Sequence, residues 1–558
     1  MLLCLAAGFL VFFAYFVLLR KGHAWFWTDT YEYAQVARSI ARGEGIKSRM
    51  SYVLEVWMLY KGTLPLPYFL HDLGNCLLMA AFFKAFGASD PVVAWTSGTF
   101  FVLMPSLTFL LGSRLFSARV GLFAAGLVLI NTQLLIYSAT GLSEVPYAFL
   151  LTAFFYVLHH ERTRWGSTMS GVLYGALATL RSNSIPFLPW IMLFLLVDRR
   201  AEAPSGDVVS QQGWFRAAGR GGRRALGHLG LFLLGLGVAY GPTAARNYVW
   251  FGHPLYNSIN RYVLIWSTSA IPEKAGSILS RPGVDVDPNM FVLQHPGELL
   301  RKAARQIART IGLLLEGGIT TDKHFGDAVL IFLFLLSVLA PPGDEEVREK
   351  RFRMLVYTSL LTAILAGAVT NLQWRHLYGF IPLVLIYVAE LLLRLIDRSG
   401  RAKGPRGTMA PASLSSPAVL GVLALLAAFE MGAVIESTRF GQDAQVSREF
   451  RSYAAMVARQ TPPNAIVLTR PGRLMYGLAW YCDGDRVFVE DADYTRRVLR
   501  SKSSRPVFLI VAPERMGATG STAPEAAADD EQPPPGFVQV FRRRPGTFPA
   551  VLFRAEGS

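Results

Sequence analysis

The residue best placed to do chemistry is Asp29, which lies among five aromatic residues in the segment WFWTDTYEYAQVARSIARGEG, residues 25–45. This segment follows directly on an apolar run, Leu2 to Leu19, that is long enough to cross a bilayer. Aromatic rings collect at the membrane–water boundary, and the apolar spacing after Asp29 predicts an amphipathic helix along that boundary. A carboxylate held there can act on a lipid-borne substrate.

The carboxylate of Asp29 also fits a structural role. Thr28 or Asp29 precedes the predicted helix, and Glu32 follows Asp29 by three residues, which is the spacing of a capping box. The two roles are compatible, since a capping residue can still face a substrate.

A second acidic residue, Glu144, lies in GLSEVPYAFLL at the outer start of another apolar segment. An ionisable residue at that depth is costly and is a functional candidate by default. The alternative is an exposed interfacial acid or a helix cap, because Ser143 and Pro146 also fit a helix start.

Four basic residues are predicted at the outer ends of apolar segments and could hold a lipid phosphate. Arg181 lies in LATLRSNSIPFLPW, Arg375 and His376 lie in WRHLYGFIPLVLIY, and Lys61 lies in YKGTLPLPYF. A planar guanidinium suits a phosphate ligand. The alternative is a basic side chain that only reaches the surrounding headgroups.

No metal site is predicted, although a divalent metal stays open as a cofactor. His71 and Asp72 are possible ligands, but no spaced cluster of His, Cys or Glu accompanies them, and a hydrogen-bonding pair at a helix end is the simpler interpretation. The sequence also has no Walker A motif, dinucleotide fingerprint, zinc-type cysteine pairs or G-x-S-x-G elbow.

The composition indicates a polytopic membrane protein. Of 558 residues, 52% are hydrophobic and only 17% are charged, with a mean hydropathy of +0.33. Much of the net charge of +16 lies in short loops, where it reports orientation, so no nucleic-acid partner is expected. Three cysteines do not make a disulfide framework.

About twelve to thirteen membrane helices are predicted. The apolar segments after the first lie near 66–86, 91–113, 119–138, 142–158, 168–180, 184–197, 226–250, 327–340, 354–370, 376–396 and 416–435.

Two basic loops, 199–224 and 397–406, are predicted to be cytoplasmic, which places 251–325 and everything after about 438 outside. The early loops conflict with this orientation. If Arg114 and Arg119 are cytoplasmic, alternation also places the loop 20–65 inside. Either one early segment does not span the membrane, or a short crossing is hidden, and both alternatives stay open.

The chain divides into a transmembrane domain, 1–437, and an extracytoplasmic domain, 438–558. The first contains an external loop at 20–65 and a large external loop at 251–325. The second alternates strand-like runs (AIVLTR, RVFVED, PVFLIVAP, GFVQVFRR) with helix-like runs, which predicts a small soluble α/β domain. Its residues 516–535, rich in Ala, Asp, Glu and Pro, are predicted to be a disordered insertion.

Taken in order, these elements resemble the GT-C superfamily of integral-membrane glycosyltransferases, over roughly residues 1–395. The similarity is greatest to the protein O-mannosyltransferase and lipid A aminoarabinose transferase type, with an RgtA/B/C/D-like domain. The matching motifs, in sequence order, are TDTYEYAQVARSIARGEG, PLPYFLHDLGNCLLMAAFFKAFG, GSRLFSARVGLFAAGLVL, GLSEVPYAFLL, LATLRSNSIPFLP and WRHLYGFIPLVLI.

The resemblance implies a polyprenyl-phosphate sugar donor and an inverting transfer at the outer face of the plasma membrane. Asp29 matches the catalytic acid, the general base for the acceptor hydroxyl. Where the family often has two adjacent acids, Thr30 follows Asp29, so Glu32 is the next candidate, and Glu144 matches a second external acid loosely.

The departing lipid phosphate needs a positive charge, which Arg375, with Arg181, Lys61 or His376, is predicted to supply. Membrane lipid surrounds the protein, and the acceptor can be a glycan, a lipid or a protein.

Two functions of other classes compete with this one. A transporter or flippase for lipid-linked glycans would use intramembrane charges along a path, but its usual inverted repeats and broken helices are not visible. A non-catalytic relative would bind a lipid-linked sugar without transferring it. Substitution of Asp29 by Asn separates the two, because only an enzyme loses turnover.

Overall fold

The computed structural model describes most of the chain. The described residues are 1–24, 26–52, 66–68, 70–160, 163–201, 211–255, 263–269, 288–315, 325–342, 346–370, 375, 377–401, 421, 442–469, 473–482, 485–490, 505–511, 537–543 and 550–555.

The described part of residues 1–401 is mainly helical, with short extended pieces in the first loop. Its helices are α1 (Leu2–Phe13), α2 (Thr28–Ala41), α3 (Gly74–Phe86), α4 (Asp90–Leu115), α5 (Ala118–Ile130), α6 (Thr132–Ser138), α7 (Glu144–His160), α8 (Arg164–Leu180), α9 (Leu188–Ala201), α10 (Gln211–Phe251), α11 (Pro288–Gln294), α12 (Pro296–Leu315), α13 (Phe325–Leu339), α14 (Val347–Val369) and α15 (Ile381–Arg401). Two 3-10 turns, Ser182–Phe187 and Tyr378–Phe380, lead into α9 and α15.

Five helical stretches of the described residues are long and apolar enough to cross a membrane. They are Leu2–Leu19, Asp90–Leu115, Gly222–Phe251, Val347–Val369 and Tyr378–Arg398. The pair α5 and α6, bent by 59°, makes a sixth if it is one span. The predicted fold class, a polytopic helical membrane protein, is confirmed. The crossing predicted at 416–435 lies outside the described residues.

Two predicted crossings have a different shape. The segment 66–86 begins as a strand and is helical only from Gly74 to Phe86. Its 13-residue helix is about 20 Å long, shorter than a hydrocarbon core of about 30 Å. The short α3 agrees with the alternative in which one early segment does not span the membrane. The segment 119–138 breaks at Asn131, whose side chain caps α6 by accepting a hydrogen bond from Leu134 N at 3.0 Å.

The C-terminal part contains the predicted α/β arrangement. Helices α16 (Gln442–Gln460) and α17 (Arg473–Tyr481) accompany five strands. These strands are β4 (Ile466–Thr469), β5 (Val487–Glu490), β6 (Val507–Val511), β7 (Phe537–Arg543) and β8 (Ala550–Ala555). The four runs predicted as strands correspond to β4 through β7. The predicted insertion at 516–535 and the boundary at 437–438 lie outside the described residues.

The sheet has a sixth strand, which comes from the first loop. The loop contributes β1 (Lys47–Ser48), β2 (Met50–Ser51) and β3 (Leu66–Pro67). The strands β1 and β3 pair with each other, whereas β2 joins the C-terminal sheet, whose order is β2-β5-β4-β6-β8-β7. Pairing is parallel from β2 to β6 and antiparallel at β8 and β7. The first loop and the C-terminal part therefore form one folded unit.

A buried arginine joins this unit to α2. Arg38, in the last turn of α2, donates hydrogen bonds to the carbonyl oxygens of Ala479 at 3.0 Å, of Cys482 at 3.3 Å and of Trp480. Its guanidinium also lies over the Trp480 ring, 5.0 Å from the centroid. These carbonyls end α17, where a helix has unsatisfied acceptors and partial negative charge. Asp90 fixes α17 from the other side by accepting from Trp480 Nε1 at 3.0 Å.

Candidate active site

The first turn of α2 presents Asp29. The helix begins after Trp27, and Thr30 closes the turn by accepting from Trp27 N at 3.2 Å and donating to the Thr140 carbonyl at 2.9 Å. Asp29 is therefore inside the first turn and is not the N-cap residue, so the predicted capping role is wrong. Its carboxylate is available for a partner outside the helix, at the end of α2 where negative charge is favoured.

That partner is Arg375. Its Nη1 donates to Asp29 Oδ2 at 2.8 Å, across 346 residues of sequence. Arg375 lies just before the 3-10 turn that begins α15, so the end of a membrane helix delivers it. The side chains of Asp29 and Arg375 are 20% and 23% exposed. The ion pair is thus reachable from outside the helical bundle.

A second ion pair lies beside the first. Glu144, in the first turn of α7, accepts from Arg181 Nη2 at 3.1 Å. Arg181, at the end of α8, also donates from Nη1 to the carbonyl of Arg375 at 3.5 Å and lies over the Tyr147 ring at 5.8 Å. The Glu144 carboxylate is only 2% exposed, so Glu144 holds Arg181, and Arg181 supports the backbone of Arg375.

Charge interactions keep Asp29 ionised. Burial alone favours the protonated acid, but the positive charge of Arg375 and its hydrogen bond to the carboxylate outweigh burial and lower the pKa of Asp29 to about 2. In turn, the Asp29 carboxylate outweighs burial and raises the pKa of Arg375 above its usual value. Burial lowers the pKa of His71, which favours the neutral ring.

The other predicted acid on α2, Glu32, is part of a separate buried network. It accepts from the Tyr52 hydroxyl at 3.1 Å and lies 3.6 Å from His71 Nε2. Its side chain is 2% exposed, against 20% for Asp29. Of the two acids, only Asp29 combines exposure with an arginine partner.

The structure thus brings together Asp29, Glu144, Arg181 and Arg375, all four of which the sequence analysis named. Lys61 and His376 lie outside the described residues. One supporting contact was not predicted: Asp72, named from the sequence as a helix-end hydrogen-bonding residue, accepts from Ser182 N at 2.8 Å and from the Ser182 hydroxyl at 3.0 Å. The position of Asp72 at a helix start was visible in the sequence, but its bond to the turn after Arg181 was not.

The carboxylates of this site do not fit a metal ion. Among the described residues, no group of three His, Cys, Asp or Glu side chains could hold one. Asp29 and Glu144 each already face a guanidinium, which supplies the positive charge that a cation would bring. We therefore derive no chemical step through a metal.

Two of the solved structures that share this fold are of one protein. The crystal structure of ArnT from Cupriavidus metallidurans bound to undecaprenyl phosphate has a TM-score of 0.57 and 13% sequence identity, covering 100% of this chain and 98% of that one. The structure of the same protein in the apo state has a TM-score of 0.53 and 13% identity, covering 99% and 97%. No protein-family model matches the chain, and no curated protein sequence matches it.

This structural likeness shows which fold the chain has. The chain is a multi-pass membrane protein with the GT-C fold, and its likeness to the ArnT structure covers 100% of the chain. The resemblance drawn from residues 1–395 is confirmed at the level of the fold, and the likeness includes the C-terminal part as well.

Proposed function

We propose that this protein is a glycosyltransferase that moves a sugar from a polyprenyl-phosphate donor to an acceptor, with inversion at the anomeric carbon. The observation that carries the proposal is the accessible ion pair of Asp29 and Arg375, 2.8 Å apart. It supports the proposal because a carboxylate that can act as a base lies beside a guanidinium that can bind a phosphate. The GT-C fold agrees with this function, since the ArnT structure that shares the fold was solved with undecaprenyl phosphate bound.

The chemical step needs both members of the pair. The acceptor oxygen attacks the anomeric carbon, the bond from that carbon to the donor phosphate oxygen breaks, and the electron pair leaves on the phosphate. Asp29 takes the proton of the acceptor hydroxyl as the new bond forms. Arg375 stabilises the negative charge on the departing lipid phosphate.

Donor binding would also prepare the base. A carboxylate with a pKa of about 2 is ionised but only weakly basic. The donor phosphate is a second anion that competes with Asp29 for the guanidinium of Arg375. Once Arg375 turns to the phosphate, burial acts on Asp29 with less opposition, and the pKa of Asp29 rises. Its basicity would then increase only when a donor is present.

The helices α9 and α15, which both begin beside the site, support the proposed orientation. The helix α9 starts after the turn that follows Arg181, and α15 starts after the turn that follows Arg375. Both run away from the site toward the basic stretches 199–224 and 397–406. With those stretches in the cytoplasm, the site is on the outer face of the plasma membrane. The acceptor would approach from that side.

The test is a transfer assay with purified protein in lipid and a panel of radiolabelled polyprenyl-phosphate sugars. We expect one donor to support transfer by the wild type and not by Asp29→Asn, and NMR of the product to show an inverted anomer. The variant Glu44→Gln is the matched control, because Glu44 is an acid of the same segment that pairs with Arg49 away from the site.

Other results would favour the competing functions. Donor binding without transfer, unchanged in Asp29→Asn, would indicate a non-catalytic lipid-sugar-binding protein. Movement of intact donor between leaflets of a vesicle, without sugar transfer, would indicate a flippase.

A further inference from the structure

An open groove lies between α9 and α14, away from the acidic site. Its volume is about 400 Å³, within the range of roughly 300–1,000 Å³ that small-molecule sites occupy. One face of α9 lines it with Trp190, Phe194 and Val197, and one face of α14 lines it with Met354 and Leu355. The lining is almost wholly apolar.

The length of the groove along α14 is close to the thickness of one membrane leaflet. On α14 its lining runs from Val347 to Thr358, which is about 16 Å along a helix axis. Half of a hydrocarbon core of about 30 Å is nearly the same length. Beyond Thr358, a hydrogen bond from Trp190 Nε1 to Thr362 Oγ1 at 2.9 Å joins the two helices. The groove therefore suits one acyl chain.

Two cations lie at the end of this groove where α14 begins. Lys350 and Arg351 line it in the first turns of α14, and neither side chain has a hydrogen bond or an ion pair with a described residue. The acids at this level have other partners, since Asp198 of α9 lies 3.7 Å from Arg348 and the side chains of Glu346 and Glu349 cap the first turn of α14. The positive charges of Lys350 and Arg351 thus remain for an external anion.

This end of the groove is far from the proposed active site. From Arg351 to the end of α14 at Val369 the helix rises about 27 Å, close to the thickness of a bilayer core. Arg375 comes shortly after Val369 in the sequence. A polyprenyl donor with its phosphate on Arg375 cannot place the same phosphate on Lys350.

We propose that this groove binds one anionic phospholipid of the leaflet opposite the active site. An acyl chain lies between α9 and α14, and the phosphate contacts Lys350 and Arg351. An apolar channel of leaflet depth with two cations at its mouth has the complementarity for this ligand. General attraction of anionic lipids to basic residues would not favour this groove over the other helix ends that carry basic residues.

The test uses the fluorescence of Trp190, which lines the groove. The protein is placed in nanodiscs of phosphatidylcholine that contain increasing fractions of dibrominated phosphatidylglycerol, whose bromines quench nearby tryptophans. Subtracting the signal of Trp190→Phe isolates Trp190 from the other tryptophans of the chain. We expect half-quenching at a mole fraction about tenfold lower than with dibrominated phosphatidylcholine, because two cations near a membrane surface give attraction of at least that size.

The double variant Lys350→Gln/Arg351→Gln should lose this preference. Arg398→Gln, at the end of α15, is the matched control and should keep it. Val197→Phe, which fills the mouth of the groove, should weaken quenching by both lipids, and it tests the site if the double variant does not fold.

Three results would overturn the proposal. The first is equal quenching of the wild type by the two lipids. The second is equal loss of the preference in Arg398→Gln and in the double variant, which would mean diffuse surface charge. The third is displacement of the brominated lipid by polyprenyl phosphate at low concentration, which would make the groove part of the donor site.

Discussion

Two arginines hold the helix α2, one at each end, and their partners differ in kind. Arg375 meets the carboxylate of Asp29 in the first turn. Arg38, in the last turn, donates to three backbone carbonyls at the end of α17. Arg375 is 23% exposed, whereas Arg38 is 7% exposed. The accessible carboxylate of Asp29 can be replaced at Arg375 by another anion. The buried carbonyls that bind Arg38 cannot be replaced in this way.

The comparison separates a functional arginine from a structural one. Arg38 satisfies acceptors that would otherwise be buried without a donor, and so it contributes to folding. Arg375 pairs with a carboxylate near solvent, and we propose that the donor phosphate displaces Asp29 from it. Variants of Asp29 or Arg375 should therefore change turnover or donor binding, whereas a variant of Arg38 should change stability.

The largest expected effect is on turnover in Asp29→Asn. Loss of a positioned general base should lower turnover by roughly 10²–10⁴-fold. Donor affinity should rise by several-fold, because Arg375 no longer has a competing carboxylate. Initial rates and a direct binding assay with the polyprenyl phosphate measure the two quantities. Normal turnover in a well-folded variant would refute the catalytic role, and weaker donor binding would refute the competition.

Arg38→Ala should act on folding. Leaving several buried carbonyls without a donor should cost about 2–4 kcal/mol of stability. Thermal unfolding in detergent measures this loss. Arg451→Ala is the control, because Arg451 is 60% exposed in its bond to Asp90 and an exposed pair contributes about 1 kcal/mol or less. If Arg38→Ala unfolds like the wild type and loses donor binding instead, the structural assignment is wrong.

Arg375→Ala should weaken donor binding by about 10- to 100-fold, the scale of a hydrogen bond to a charged group. Its pH profile should also change. With a pKa of about 2 the wild-type Asp29 is ionised throughout the assay range, so kcat/KM should have no acid limb from this group above about pH 4. Without Arg375, burial raises that pKa above 3.8, and the acid limb should move upward. An unchanged pH profile in Arg375→Ala would show that Arg375 does not control the pKa of Asp29.

The smallest effect is expected for Glu144→Gln. The amide keeps an oxygen that can accept from Arg181, so the support of Arg375 is weakened but not lost. We expect turnover to fall only a few-fold, with KM changing more than kcat. A loss as large as that of Asp29→Asn would assign Glu144 a direct role in proton transfer.

The sequence predicted local features better than long-range ones. The aromatic segment around Asp29 and the alternating runs of the C-terminal part were recognised because both patterns repeat within ten to twenty residues. The break at Asn131 was missed, since the apolar run continues through it and only a cap bond divides α5 from α6. The short length of α3 was missed because β3 is apolar too.

The ion pairs of the site were not predicted as pairs. Asp29, Arg375, Glu144 and Arg181 were each named from their surroundings, but the contact of Asp29 with Arg375 depends on how the helix ends converge. Arg38 was passed over, because in the sequence it is one of several arginines on an amphipathic helix. Its role depends on α17, which lies 441 to 444 residues later.

The strand β2 has a consequence for the order of assembly. Two residues of the first loop, Met50 and Ser51, complete one edge of a sheet whose other strands are synthesised at the end of the chain. A C-terminal fragment made alone would leave the edge of β5 open to pairing with another chain. The C-terminal sheet can therefore be completed only when the first loop lies on the same side of the membrane as the C-terminal part.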